Sequence, residues 1–143
     1  MANFTPQQKD IVQNTFELVP DADALAQTFY NRLFEVDPSL RPLFKGDIFE
    51  QRKKLMQTLA VVVRGLDSLE TIVPAIENLG KRHVVYGVTP QHWYTVGGAL
   101  LWALENTFGD AFTDDVRDAW ATAYALIADT AMAAAYPEEL DLS

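Results

Sequence analysis

The chain has 143 residues, 49% of them hydrophobic and 11% aromatic, which is enough for one domain with a buried core and excludes a disordered chain. It contains no cysteine, which excludes disulfides, iron–sulfur clusters and thiolate zinc sites. Its net charge of −9 argues against nucleic acid as a partner, because contacts to phosphates need clustered Lys and Arg on an exposed face.

Capping residues, glycines and prolines divide the chain into six helical segments, so the sequence predicts an all-α fold. Thr5 and Gln8 form a capping box at the first helix start, and Asp21 or Asp23 caps the second helix. Pro74 is expected to interrupt the fourth segment, because its ring and its missing N–H disfavour a helix interior. The predicted bounds are 5–19, 21–37, 47–65, 67–87, 89–109 and 113–136.

Three short segments need a separate interpretation. A turn is expected over 38–44, between the second and third helices. The apolar run 59–63 would suit a strand by itself, but no second strand is present to pair with it, so a helix is preferred. The acidic tail 137–143 is expected to be frayed.

The start of the chain and its longest apolar run do not indicate a membrane protein. The first residues lack a basic segment followed by an apolar one, and the longest apolar stretch, 97–104, is shorter than the roughly 18 residues that a membrane helix needs. We therefore expect a cytoplasmic protein with no membrane partner. Ten of its eleven basic residues lie within 1–82, with clusters at 52–54 and 81–82. Solvated helix faces explain these clusters most simply, and a small anionic ligand is the alternative.

The sequence offers few side chains for catalysis or for metal binding. With two histidines, His83 and His92, and no cysteine, it cannot build a structural zinc site, and it lacks the Glu-x-x-His pairs of di-iron bundles. Its glycines form no GxGxxG or P-loop pattern. A bound cofactor is the remaining route to chemistry. Judged by spacing alone, His83 is more often a satisfied, partly buried residue than a metal ligand.

Several motifs follow one another along the chain in a characteristic order and spacing. They are 28–34, 37–38, 41–44, 76–83, 87–88, 95–97, 100–101, 118–120 and 123–124. This ordered set resembles the globin family over residues 5–136, and in particular single-domain bacterial hemoglobins and neuroglobin-like chains rather than the shortened globins, whose first helix is reduced. The resemblance implies an all-α globin fold with about seven to eight helices around a buried heme.

The resemblance implies heme b as the cofactor, with His83 as the proximal iron ligand. Phe44 matches the aromatic residue that packs on the porphyrin, and Val88 matches a residue that touches it near the proximal side. Lys54 and Arg82 are expected to pair with the heme propionates. Such exposed pairs contribute about 0 to 1 kcal/mol each, so heme retention is expected to depend on burial and on the histidine.

The distal side of the implied pocket differs from that of vertebrate myoglobins. Their distal histidine matches Gln51, one turn before Leu55, and the distal position on the second helix is Tyr30. A phenol and an amide can both donate a hydrogen bond to bound dioxygen, which slows its release more than that of carbon monoxide. An aromatic core role for Tyr30 and a solvent-exposed Gln51 are the alternatives.

The proximal side departs from flavohemoglobins and their bacterial kin. The Tyr and Glu that those proteins often pair with the proximal histidine match Trp93 and Ala135 here. The resemblance then implies a more neutral histidine, oriented by a backbone carbonyl, and Trp93 as a cofactor neighbour. This favours reversible binding of dioxygen and other diatomic gases over peroxidase-like chemistry.

Two other functions remain open from the sequence. The first is a nitric oxide dioxygenase, which would need a separate reductase, because 143 residues hold no flavin reductase domain in addition to the globin domain. The second is a heme-free helical sensor or bilin binder that kept the fold.

Overall fold

The structure is a computed structural model that describes residues 4–43, 47–85 and 89–135, without the side chains of residues 43, 69, 83–85 and 135. Within these ranges the chain forms six α-helices and three short 3₁₀ segments, and no strand. This confirms the all-α prediction. The α-helices are α1 (Pro6–Glu17), α2 (Ala22–Val36), α3 (Ile48–Arg64), α4 (Leu69–Val85), α5 (Pro90–Phe108) and α6 (Asp114–Ala135). The 3₁₀ segments are Pro38–Leu43, Gly65–Asp67 and Gly109–Ala111.

The first two helices begin where the capping residues predict. The backbone N–H of Thr5 donates to Oε1 of Gln8, and the N–H of Gln8 donates to Oγ1 of Thr5, each at 3.1 Å. This reciprocal pair satisfies two of the N–H groups that a helix start leaves without a partner. At α2, Oδ1 of Asp21 accepts from the N–H of Ala24 at 3.2 Å, so Asp21 rather than Asp23 is the cap.

Pro74 does not interrupt the fourth helix, and that prediction is wrong. α4 continues through Pro74. So close to the helix start, the proline removes only one intrahelical hydrogen bond, and because Pro74 lies on the exposed side of the helix, a bond to water can replace the lost one. The flanking Ile72 and Ile76 are buried and hold this part of α4 on the core.

The expected start of that helix at Asp67 is also wrong. Asp67 ends a 3₁₀ segment, and its carboxylate lies 2.9 Å from the ammonium nitrogen of Lys9 in α1. This pairing lowers the pKa of the Asp67 carboxyl. The Asp67 side chain therefore pairs with Lys9, which is distant in sequence, instead of capping the helix as the local sequence predicts.

The helices enclose a core that leaves α3 and α4 apart. α4 and α1 both pack on α6, while α2 packs on α5 and on α3. Neither α3 nor α4 packs mainly on the other. Among the described side chains, the largest that are fully buried are Leu25, Leu33, Leu104 and Val12. Burying one such leucine contributes roughly 1.5 to 3 kcal/mol to the free energy of folding. Packing on this core therefore holds the helices in place, including α3 and α4 on the two sides of the space between them.

A polar contact fixes the position of α1 against α6 within this core. The indole N–H of Trp120 donates to Oγ1 of Thr15 at 2.8 Å, and the Trp120 and Phe16 rings lie 6.4 Å apart.

In the described part of the chain, no helix combines the length and the apolar composition needed to cross a bilayer.

Candidate functional site

A cavity of about 240 Å³ lies between α3 and α4. Its walls are largely apolar, with polar side chains and one guanidinium from Arg82. Residues 57–62 of α3 form one wall of the cavity and residues 75–82 of α4 form the other. The lining residues are Gln57, Thr58, Val61, Val62, Ala75, Ile76, Leu79 and Arg82.

The predicted iron ligand His83 follows Arg82 directly in α4. Its backbone is helical, and its side chain lies outside the described residues. Phe44 and Val88, the two expected porphyrin contacts, also lie outside the described residues. The structure therefore places the α4 segment that carries the histidine beside the cavity, while the three side-chain assignments stay predictions.

Tyr30 lies on the inner face of α2 and is only 5% exposed. The Phe29 ring packs edge-on against it with centroids 4.9 Å apart, and the Phe34 ring stacks on it at 5.9 Å. Its hydroxyl donates to the backbone carbonyl oxygen of Gln51 in α3 at 3.4 Å. Burial raises the pKa of Tyr30 to about 12, because the phenolate would lose its solvation. The phenol therefore keeps its proton, and its ability to donate, at any physiological pH.

Gln51 and Leu55 lie one turn apart on the same side of α3, and both are half-buried. Leu55 packs against the core. The turn that carries Gln51 is fixed at its start, since Oδ1 of Asp47 accepts from the N–H of Phe49 at 2.9 Å and the Asp47 carbonyl accepts from the N–H of Gln51 at 3.1 Å. The structure thus brings the two predicted distal residues, Tyr30 and Gln51, into contact.

The basic residues of α3 and α4 have different surroundings. Arg82 is exposed and lines the cavity, and Lys54 is exposed on α3. Arg52 instead pairs with Asp23 of α2, with its Nε 2.9 Å from Oδ1. Arg52 is therefore engaged by Asp23 and is not available to an anion in the cleft, although it lies only two residues before Lys54 in the sequence.

Trp93, expected to neighbour the cofactor, is buried in α5. Its backbone carbonyl accepts a hydrogen bond from the Tyr124 hydroxyl of α6 at 2.5 Å. Burial raises the pKa of that hydroxyl as well. The Tyr124 ring lies so close to Gly97 that a Cβ atom there would be 2.6 Å from it. Gly97 is thus required for the close approach that places Tyr124 beside Trp93.

His92, the second histidine of the chain, has a structural role at the start of α5. Its Nδ1 accepts from the backbone N–H of Thr89 at 3.0 Å, which satisfies a group that the helix start exposes. Because a capping bond occupies Nδ1 and holds the ring at the helix end, His92 is poorly placed to act elsewhere.

Several cavity residues were not predicted from the sequence, among them Thr58, Val61 and Leu79. A signal for them exists in the apolar run 59–63. Val61 is 58% exposed although its neighbours Val62 and Val63 are buried, so α3 is apolar on more than the side that faces the core. A second apolar face on a helix indicates a second apolar neighbour.

The fold of the described helices is that of globins. A bacterial globin from Campylobacter jejuni, 24% identical in sequence, superposes with a TM-score of 0.83, covering 94% of this chain and 99% of that one. An engineered carbene transferase from Rhodothermus marinus, also 24% identical, superposes with a TM-score of 0.84 over 96% of each chain.

Sequence relatives show the family. A model of the globin family matches residues 27–131. Neuroglobin of Danio rerio is 31% identical over 146 residues, which cover 89% of each chain. A flavohemoprotein of Bordetella parapertussis is 31% identical over 130 residues, covering 88% of this chain and 32% of that one, so the chain spans about a third of its length. The chain belongs to the globin family, whose fold holds heme.

The residues described at the cleft fit such a group. Val61 and Leu79 supply apolar walls, and the side chain of Arg82, which also lines the cleft, carries a cation of the kind that pairs with carboxylates. The next residue along α4 is a histidine, and imidazole is a common axial ligand of heme iron. Apolar walls and a cation are compatible with a porphyrin that carries two carboxylates.

Proposed function

We propose that this chain binds heme b in the cleft between α3 and α4, with His83 as the proximal ligand, and that it binds dioxygen reversibly. One observation carries the proposal: the hydroxyl of Tyr30 lies 3.4 Å from the backbone oxygen of Gln51. Two helices thereby bring a phenol into contact with a residue that carries an amide side chain, and the rings of Phe29 and Phe34 pack against the phenol. Such a pair is suited to a small ligand that gains partial negative charge when it binds.

The heme iron, when bound, supplies the coordination position for a diatomic gas. The chain supplies the donors around that position. Because burial keeps Tyr30 protonated, its hydroxyl can donate to the gas, and a bond of 3.4 Å to the Gln51 carbonyl is weak enough to be exchanged at little cost. Leu55, one turn after Gln51, provides an apolar contact that limits access of water.

Other residues of the chain have proposed roles in holding the group. Lys54 and Arg82 pair with its propionates, and Phe44 and Val88 pack on the ring. On the proximal side, Trp93 takes the place of the Tyr that flavohemoglobins often have, so a backbone carbonyl orients His83. A histidine without a carboxylate partner donates less electron density, which favours reversible binding.

A second candidate function is nitric oxide dioxygenase. The flavohemoprotein relatives favour it, since this chain is 31% identical to about a third of the length of each of them. In that reaction one dioxygen, one nitric oxide and one electron give one nitrate, and the donors of Tyr30 and Gln51 would hold the dioxygen. The electron would come from a separate reductase, which we propose as a partner for this activity.

The proposal is tested on the purified protein loaded with heme. A Soret band, a spectral change on exposure to dioxygen and its reversal under vacuum are expected. Rapid consumption of nitric oxide with stoichiometric nitrate, sustained by an added reductase, would favour the dioxygenase instead. A protein that takes up no heme would contradict both functions and favour a heme-free sensor.

A further inference from the structure

Arg52, which follows Gln51 in α3, makes a two-point contact with Asp23 at the start of α2. Its Nε donates to Oδ1 at 2.9 Å and a terminal nitrogen donates to Oδ2 at 3.5 Å. Its guanidinium carbon also lies 4.5 Å from the centre of the Phe49 ring. Only 13% of the Arg52 side chain is exposed, against 55% for Asp23. A planar cation held by both carboxylate oxygens and an aromatic face has little freedom to move.

A second polar contact joins the same two helices one residue earlier in α3. The Tyr30 hydroxyl donates to the carbonyl of Gln51. Asp23 and Tyr30 are two turns apart on α2, or roughly 10 Å along its axis. The two contacts are separated by that distance on α2 and are made by adjacent residues of α3. Together they determine how far the first turn of α3 lies from α2 and how it is rotated about its own axis.

We propose that Arg52 is a positioning residue of the distal pocket, which holds the first turn of α3 through Asp23 so that Gln51 and Tyr30 remain within reach of one bound gas molecule. This inference rests on the proposed function, in which those two side chains donate to dioxygen. When the Tyr30 hydroxyl turns toward the gas, its bond to the Gln51 carbonyl is lost. The Arg52–Asp23 pair does not involve the gas and continues to hold α3 against α2.

An ion pair that only stabilises the folded chain would behave differently, and α3 offers a matched control. At its other end Arg64 pairs with Glu17 of α1, with Nε 3.5 Å from the carboxylate oxygen and both side chains more than 60% exposed. The two arginines belong to the same helix and each ties it to another helix. Only Arg52 is adjacent to the proposed pocket.

The test compares Arg52→Met, Asp23→Asn and Arg64→Met in the heme-loaded full chain. Methionine keeps an unbranched apolar stem but removes the charge and the guanidinium that contacts Asp23 and Phe49. Loss of a direct donor to bound dioxygen corresponds to about ten- to a hundredfold faster release, so loss of a residue that only positions the donors should give roughly three- to tenfold. We expect this increase for Arg52→Met and for Asp23→Asn, no further increase in the double variant, and an intermediate rate for Arg52→Lys.

Three further measurements separate positioning from general loosening of the fold. Release of carbon monoxide should stay within about twofold in all variants, because it accepts hydrogen bonds poorly. The C–O stretching frequency of the carbon monoxide complex, which reports nearby donors, should shift for Arg52→Met and not for Arg64→Met. Thermal unfolding gives the stability loss of each variant, which should be larger for Arg52→Met because its ion pair is less exposed than that of Arg64, while Asp23→Asn shows whether oxygen release follows the loss of the pair.

The inference is overturned if Arg52→Met leaves oxygen release unchanged, if Arg64→Met accelerates it equally, or if oxygen and carbon monoxide release accelerate together. Tyr30→Phe distinguishes this failure from failure of the proposed function. If Tyr30→Phe accelerates oxygen release and Arg52→Met does not, the pocket assignment stands and the positioning role is wrong. If neither has an effect, the polar pocket itself is wrong.

Discussion

Gly80 of α4 lies directly against the backbone of Ala131 in α6. A Cβ atom on Gly80 would stand 2.2 Å from the carbonyl oxygen of Ala131 and 2.8 Å from its carbonyl carbon. Both obstructing atoms are backbone, so no rotamer change can relieve the contact. This close approach sets the position of the helix that carries His83, three residues further on.

We predict that Gly80→Ala destabilises the protein and weakens heme retention. Overpacking costs about 1 to 3 kcal/mol, which exceeds the gain of about 0.5 to 1 kcal/mol that alanine has over glycine in a helix. Gly98→Ala is the control, because a Cβ atom there meets no atom within 4 Å, and it should stabilise the protein. Urea unfolding of both variants and heme transfer to apomyoglobin measure the two effects. Equal stability changes would show that α4 shifts freely on α6.

We predict that His83→Ala abolishes stable heme binding, or leaves an iron that takes up exogenous imidazole. His92 cannot replace it, because its Nδ1 caps α5 by accepting from Thr89. Absorption spectra of the ferrous proteins with and without imidazole test this expectation. His92→Ala is the matched control and should keep the spectrum of the unmodified chain, with a lower melting temperature. A normal histidine-bound ferrous spectrum in His83→Ala would refute the ligand assignment.

The two distal donors should contribute unequally to oxygen binding. Tyr30 is buried and packs against two aromatic rings, whereas Gln51 is only half-buried on a longer side chain that loses more rotamer entropy when it is fixed. Tyr30→Phe should therefore accelerate oxygen release by about ten- to a hundredfold, more than Gln51→Leu does, since a hydrogen bond to a charged acceptor contributes roughly 1.5 to 3 kcal/mol. Stopped-flow release rates measure both, with carbon monoxide as the reference ligand. A larger effect of Gln51→Leu would transfer the main role to the amide.

The buried tyrosines predict a loss of stability in alkali. Burial raises the pKa of Tyr30 to about 12, above the value near 10 of an unfolded chain, so the unfolded state releases its proton first as the pH rises. The stability contributed by the neutral phenol is complete below about pH 10 and is lost as the pH approaches 12, by roughly 2 to 3 kcal/mol at most. Tyr124, whose pKa is raised in the same direction, adds to this loss.

Denaturant unfolding at pH 8, 10 and 11.5 measures that dependence. Tyr30→Phe should flatten it, because a phenylalanine has no proton to lose. Tyr94 is 63% exposed, so Tyr94→Phe serves as the control and should leave the slope unchanged. An equally steep loss of stability in Tyr30→Phe would assign the alkaline transition to other groups.

Interactions between residues close in sequence were predicted well. The capping pair of Thr5 and Gln8 and the cap at Asp21 depend on backbone groups within three residues, so the amino-acid pattern contains all their partners. Pro74 shows the limit of the same reasoning. A proline inside a helix costs free energy, but the burial of Ile72 and Ile76 on the core outweighs that cost. That burial depends on helices distant in sequence.

The sequence by itself thus determined the helices, most of their ends and the resemblance that implies Tyr30, Gln51 and His83 as site residues, because these features depend on local hydrogen bonds and on residue order. Only the tertiary structure decided which side chains meet. It separated α3 from α4 by packing each on a different helix, paired Arg52 with Asp23, and placed the Tyr30 hydroxyl at the Gln51 carbonyl. Contacts between residues 21 or more positions apart depend on how helices dock against a shared core, and a linear pattern does not contain that information.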